Sequence, residues 1–312
     1  MTWFKRIALF LILNAVIITT LNIVLSFFGV QPYLTSYGIS YKDLMLFCLI
    51  WGMGGAFISL LLSKHIAKWM MGVKIISPNT QNAEEKWLLE SVAIIAKRAR
   101  LPKAPQVGIF GSESPNAFAT GPSRSNSLIA VSKGLLSSMK KEEVLAVIGH
   151  EMAHIANGDM VTMTLLQGII NAFVMFFARV LAYAVSSAVS GRSRNSSRNN
   201  FSPMLYFILT IVFEIAFMFL GFMLIALVSR WREFRADKGG AEFAGKMPMI
   251  HALQALEKAH SPKKALNKQT GFEAMQIRSE SKLLSLFATH PPLKVRIERL
   301  EAIEISTEMQ QA

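Results

Sequence analysis

The chain of 312 residues has a single cysteine, Cys48. A disulfide framework within the chain is therefore excluded. Cys48 sits inside an apolar block and reads as a buried packing residue. Acids are scarce, 20 against 33 lysines and arginines, which leaves a net charge of +13. Such a balance points to nucleic acid, an anionic membrane surface or the cytoplasmic loops of a membrane protein. No basic stripe interleaved with aromatics is present, which argues against nucleic acid. No internal repeat is visible. A cleavable leader also lacks support. The first apolar run, behind Lys5 and Arg6, is too long for a cleaved h-region and has no small-x-small site, so it reads as a retained anchor.

What the chain has in excess is apolar residues, 52% against roughly 45–50% in an ordinary soluble domain. The excess is concentrated in four blocks, near Ile7–Phe28, Leu44–Leu62, Met160–Val189 and Met204–Val228. About 20 apolar residues cross a bilayer as a helix. The first two blocks form a hairpin joined by Gly29 to Asp43. Lys5 and Arg6 before it, and Lys64, Lys68 and Lys74 after it, put both ends on the cytoplasmic side. The second pair is less clean. Arg179 interrupts one block and Glu214 the other, and Arg192, Arg194 and Arg198 lie between them. Either these blocks span, with Arg179 pairing Glu214 inside the bundle, or they only dip into the membrane. The Ser-, Asn- and Arg-rich stretch Gly191 to Pro203 reads as a mobile loop.

The polar stretch from Lys74 to Asp159 looks α+β. Apolar residues at Trp87, Leu88, Val92 and Ile95 predict a helix over Glu84 to Arg100. Val107 to Phe110, Asn116 to Thr120 and Ser127 to Val131 read as strands. Lys140 to Ala156 is apolar nearly all round, the pattern of a buried helix. Glu142 and Glu143 suit its N-terminal end, although Lys140 occupies the capping position where Ser or Thr is expected. From Asp237 onward the chain is polar and mostly helical.

That buried helix carries His150-Glu151-Met152-Ala153-His154. Residues four apart share a helix face, so both imidazoles can converge on one metal ion with Glu151 beside it as a base. The alternative is two histidines satisfied in a core, which is costly without a shared partner. A catalytic zinc takes three protein ligands and one open position. Asp159 is near in sequence. Glu233 and Asp237, four apart, are better placed: Glu233 as the ligand, Asp237 accepting the free ring N–H of a ligand histidine. Glu233 reads equally well as an exposed acid neutralised by nearby arginines. His65, His251 and His260 lack ligand-like neighbours and read as surface or interface residues.

Several motifs in one order resemble the HtpX family of membrane zinc endopeptidases, relatives of the CaaX prenyl-protein protease. They are the N-terminal hairpin, Asn116-Ala117-Phe118-Ala119-Thr120-Gly121, the run His150 to Asp159, the Glu233-to-Asp237 pattern and Thr289-His290-Pro291-Pro292. The resemblance implies Zn2+ held by His150, His154 and Glu233, with Glu151 as acid/base and Asp237 behind a ligand. It brings His290 near the site, as an oxyanion donor or as a residue that shapes a turn before two prolines. Asn116, Ala117, Phe118 and Ala119 resemble the edge strand that takes up an extended peptide, or form an ordinary core strand. The expected architecture is mainly α with a small β-sheet: an integral membrane protein with two apolar helical hairpins and a zincin-like cytoplasmic catalytic domain. Residues 1–63 would be the first hairpin, 64–159 and 230–312 the two parts of the catalytic domain, and 160–229 the second hairpin. The implied function is proteolysis of misfolded or damaged membrane proteins at the bacterial inner membrane, facing the cytoplasm, alongside an ATP-dependent membrane protease. A processing protease for one lipidated or membrane substrate, or a non-catalytic assembly factor with structural zinc, are the alternatives; an intact Glu151 argues against the last.

Overall fold

A computed structural model of the chain describes residues 38–191, 202–259 and 288–304, together with 23, 34 and 35. The first apolar block, except Ile23, lies outside the described residues, as do His260 and all but the ends of the Gly191–Pro203 loop. The fold is mostly helical with a small mixed sheet. Contacts divide the chain into two units, Met1–Ser59 with Thr164–Ile225, and Leu60–Met163 with Ala226–Ala312.

The first unit draws on three long helices, α1 (Tyr41–Met70), α5 (Asp159–Gly191) and α6 (Pro203–Ala244). Each carries a stretch long and apolar enough to cross a membrane. Phe173, Phe177 and Phe219 are exposed, as side chains facing hydrocarbon would be. Cys48 packs in a small cluster with Leu44 and Ala172. A Cβ on Gly52 would lie 2.6 Å from the Ala172 backbone nitrogen, so α1 and α5 meet at backbone contact, the small-residue packing of membrane helices. Arg179 and Glu214 form an ion pair, the pairing expected on the reading in which the two blocks span. Ahead of α1, β1 (Leu34–Thr35) pairs antiparallel with β2 (Gly38–Ile39).

The second unit is built on a four-stranded sheet of β3 (Lys74–Ile75), β4 (Gln106–Phe110), β5 (Ala117–Ser123) and β6 (Asn126–Ser132), in the order β3-β4-β6-β5. β4 and β6 run parallel; the other pairs are antiparallel. β6 is buried on both faces: Ala130 joins Val73 and Phe110 on one side, and Ile129 and Val131 enter the main core on the other. β5 is an edge strand. Ala117 and Ala119 turn to the main core and Phe118 to the opposite side, the two-residue alternation of a strand.

Helix α2 (Ala83–Arg98) starts at Asn82, whose side chain accepts from the Glu84 and Glu85 amides, and contributes Leu88, Val92 and Ile95 to the core. A short helix α3 (Lys133–Ser138) follows β6, and α4 (Lys141–Asn157) comes next. Without a Ser or Thr cap, α4 uses Glu143, whose carboxylate accepts the Lys140 amide at 2.8 Å. Val144, Ile148, Met152 and Ile155 of α4, Met249 and Leu253 of α7 (Lys246–Ala259), and Ile297 and Leu300 of α8 (Leu293–Ala302) complete the core. Truncating a buried leucine here, such as Leu253, costs about 2–5 kcal/mol, so this core fixes α4 firmly.

Candidate metal centre

The site is assembled by a helix crossing. A Cβ on Gly240 of α6 would lie 3.0 Å from the His150 amide nitrogen, and one on Gly239 would lie 2.6 Å from Ala153 Cβ. The two backbones can meet only because these positions lack side chains. Less than one turn and nearly two turns earlier on α6, Asp237 and Glu233 are thereby delivered to His150 and His154.

His150, His154 and Glu233 each offer one ligand atom, and these atoms lie within 4.8 Å of one another. The two imidazoles meet edge to face with centroids 4.7 Å apart. His150 Nε2 is 3.5 Å and His154 Nε2 3.4 Å from the Glu233 carboxylate. The outer ring nitrogens face acids: His150 Nδ1 is 2.9 Å from Asp237 Oδ1, and His154 Nδ1 is 2.7 Å from Asp159 Oδ2. Carboxylates behind imidazoles orient the rings and leave Nε2 free to coordinate.

Asp159 is therefore a partner of His154 and not one of the three converging groups. Its position follows from Gly158, which caps α4 in the left-handed region at φ 70°, a conformation glycine adopts at little cost. The chain turns sharply there, and the first residue of α5 faces back to His154. Arg235 donates to the other Asp159 oxygen at 2.7 Å. The sequence Asn157-Gly158-Asp159 carries this signal as a helix stop followed by a new start.

Arg296 of α8 escaped the sequence reading altogether. Its Nε and Nη2 donate to the two oxygens of Asp237 at 2.8 and 2.5 Å, a bidentate pair, and its Nη1 lies 3.4 Å from Glu233. It is buried, at 7% exposure. No local pattern marks it, because its partner is 59 residues away. His290, ahead of the same helix, reaches Glu233 with Nδ1 at 2.9 Å while its side chain stays 64% exposed.

Charge in the cluster is strongly coupled. Burial alone would lower the His150 pKa, but Asp237 and Glu233 carry it up to about 9. Burial opposes protonation of His154 too, and Asp159 and Glu233 outweigh it, raising the pKa. Glu233 would be raised by burial; His150, His154 and His290 instead hold it well below the usual carboxylate range. Asp237, likewise against burial, is lowered by Arg296 and His150. A cation entering here must displace protons from the imidazoles.

The residues fit a metal. Glu233 is only 1% exposed, yet neither of its oxygens has an aligned hydrogen-bond partner among the described residues. A buried carboxylate left so is expensive unless a cation joins it, and two imidazoles with one carboxylate is a zinc-type donor set with a position to spare. Glu151 shares α4 with the two histidines, close enough for its charge to act on His154 and Arg296. Asn116 lies just before β5: Ser132 Oγ takes its amide at 2.9 Å, while its carbonyl accepts the Ser132 amide at 2.8 Å. Ala117, Phe118 and Ala119 are on the edge strand itself, in register with Val131, Ala130 and Ile129. His65 and His251 are exposed.

Comparison with known proteins agrees over nearly the whole chain. The model of peptidase family M48 matches residues 82–304. Curated relatives named protease HtpX homolog include those of Bacillus licheniformis, 48% identical over 96% of this chain and 99% of the relative, and Paracidovorax citrulli, 49% identical over 95% and 98%. The Bacillus subtilis relative is 45% identical over 96% and 99%. Among solved structures, S. mikatae Ste24p superposes with a TM-score of 0.64 at 18% identity, over 95% of this chain and 65% of that one. The likeness to Ste24p thus extends to a shared fold across somewhat less than two thirds of the longer chain. A family model over most of the sequence and full-length relatives near half identity lead to one conclusion: this chain belongs to peptidase family M48, with the HtpX proteases.

Proposed function

We propose that the protein is a membrane-bound, zinc-dependent endopeptidase that cleaves misfolded or damaged membrane proteins on the cytoplasmic side of the bacterial inner membrane. The observation that carries this reading is the convergence of His150, His154 and Glu233 from two helices, with Glu151 beside them. His150, His154 and Glu233 would hold the ion. Zinc bound there supplies Lewis acidity, which makes a water nucleophilic near neutral pH and polarises a peptide carbonyl. Glu151 accepts the proton of the attacking water and returns it to the leaving amine. Asp237 and Asp159 fix the imidazoles in the orientation that presents Nε2. His290 faces Glu233 with Nδ1, and with its ring protonated its exposed Nε2–H would be a donor for the oxyanion.

An extended peptide pairing with the free edge of β5, beside Asn116 to Ala119, would bring its backbone into register by strand addition. The lysines that follow the second apolar block, and Arg230, Arg232 and Arg235 after the fourth, favour a cytoplasmic site by the positive-inside tendency. Membrane proteins as substrates, and an ATP-dependent membrane protease as a companion, follow from the family resemblance.

The test uses the full chain in detergent. Wild type and Glu151→Gln should hold equal zinc, while casein cleavage falls by about a hundredfold to ten-thousandfold in the variant. Equal cleavage by both would remove Glu151 from the chemistry.

A further inference from the structure

Within the first unit, α1, α5 and α6 line a half-open cavity of about 430 Å³. Its lining is divided. Trp51, Gln167, Asn171, Arg179 and Glu214 bring polar groups, and apolar side chains make the rest. Arg179 pairs with Glu214 and donates to the Met175 carbonyl at 3.1 Å. Gln167 Nε2 donates to Asn171 Oδ1 at 2.8 Å. The Trp51 indole N–H is buried with no acceptor among the described residues. On the outer lip, Ile211, Ile215, Met218 and Phe222 are all exposed, on a helix apolar enough to cross a membrane.

This arrangement suits a ligand better than it suits stability. Arg179 and Glu214 are only partly buried, and ionisable groups inside a membrane bundle are expensive. Here they border open space, and a donor in that space lacks its acceptor. The apolar lip means that a ligand enters from hydrocarbon. Glu214 stands near the middle of the apolar run Met204 to Val228, the depth of acyl chains and not of lipid headgroups. The space suits side chains better than a whole helix, which is about 10–12 Å across. These conditions describe a polar side chain carried on a transmembrane helix.

We propose that this cavity is a docking site for a polar residue within a transmembrane segment of the substrate, selecting segments whose polar groups are not buried in their own fold. The inference rests on the proteolytic reading above and gives it a substrate class.

The full chain is reconstituted in liposomes with two single-span substrates that differ at one mid-span residue, Asn or Leu. Wild type should cleave the Asn substrate about threefold to fifteenfold faster, the range of a membrane hydrogen bond. The double variant Arg179→Leu, Glu214→Leu should cleave both at the slower rate while casein cleavage is unchanged. Trp51→Phe, which removes the unpaired N–H together with one ring of the indole, should reduce the preference and covers the case in which the double variant does not fold. A photo-crosslinking amino acid at position 215, in Glu151→Gln protein, reads docking without turnover and should capture the Asn substrate by the same factor. Loss of casein cleavage in wild type would sink the protease reading alone, since the crosslink still decides docking. Equal capture of both substrates, or a preference that survives in the double variant, would overturn the docking site.

Discussion

Each unit pairs charge, and the two do so by different rules. In the unit of residues 60–163 and 226–312, the charged groups behind the converging side chains hold one another. Asp159 stands behind His154, Asp237 behind His150, and Arg296 behind Asp237. Arg296 and His290 also crowd the carboxylate of Glu233. In the unit of residues 1–59 and 164–225, Arg179 and Glu214 meet among apolar helices beside open space. The first pattern restrains each side chain through the one behind it, as a preorganised metal site requires. The second leaves room, as recognition of varied partners demands. The contrast separates a centre built for one geometry from a cavity built for a class of ligand.

The sharpest way to break the comparison is to cut each cluster in half. Glu214→Leu alone leaves the partly buried Arg179 in an apolar bundle without its carboxylate and should lower stability by about 2.5–3.5 kcal/mol. The double replacement Arg179→Leu, Glu214→Leu should restore most of that loss, measured as the detergent melting temperature of the full chain. A double variant no more stable than the single one would mean the pair is structural and not replaceable. In the layered cluster the same logic predicts no rescue. Asp237→Ala should weaken zinc binding about tenfold to a hundredfold, and adding Arg296→Met should not recover it, because the ring of His150 stays unsupported. Competition with a zinc chelator reads this directly; unchanged affinity in Asp237→Ala would detach Asp237 from the metal.

The smallest expected effect concerns the helix crossing. Gly239→Ala places a Cβ 2.6 Å from Ala153 Cβ and should cost about 1–3 kcal/mol as overpacking, with loss of zinc affinity as Glu233 is pushed away. Ala153→Gly in the same chain should reverse both. Failure of that rescue would place the strain elsewhere.

How much of this was visible in the sequence depends on the distance over which each feature is specified. The pair His150 and His154, and the pair Glu233 and Asp237, follow a helical period and can be read locally. So can the apolar blocks, and the intrusion of Arg179 and Glu214 into them. Arg296 and the crossing at Gly239 and Gly240 depend on which helices meet, and no short pattern encodes that. β5 runs on to Ser123 past Gly121 and Pro122, two residues that read as a turn. They are tolerated because the strand is at the edge and its register shifts between Thr120 and Ser123, where a bulge accommodates them. β3 and α3 are too short for any period to show.

The central claim is that two imidazoles and one carboxylate, brought together by the crossing of α4 and α6, hold the ion. X-ray absorption at the zinc edge of the purified protein tests it most directly. Two imidazoles at about 2.0–2.1 Å with oxygen completing the shell, and no sulfur, is the predicted result. A third imidazole would put His290 on the metal in place of Glu233 and contradict the account.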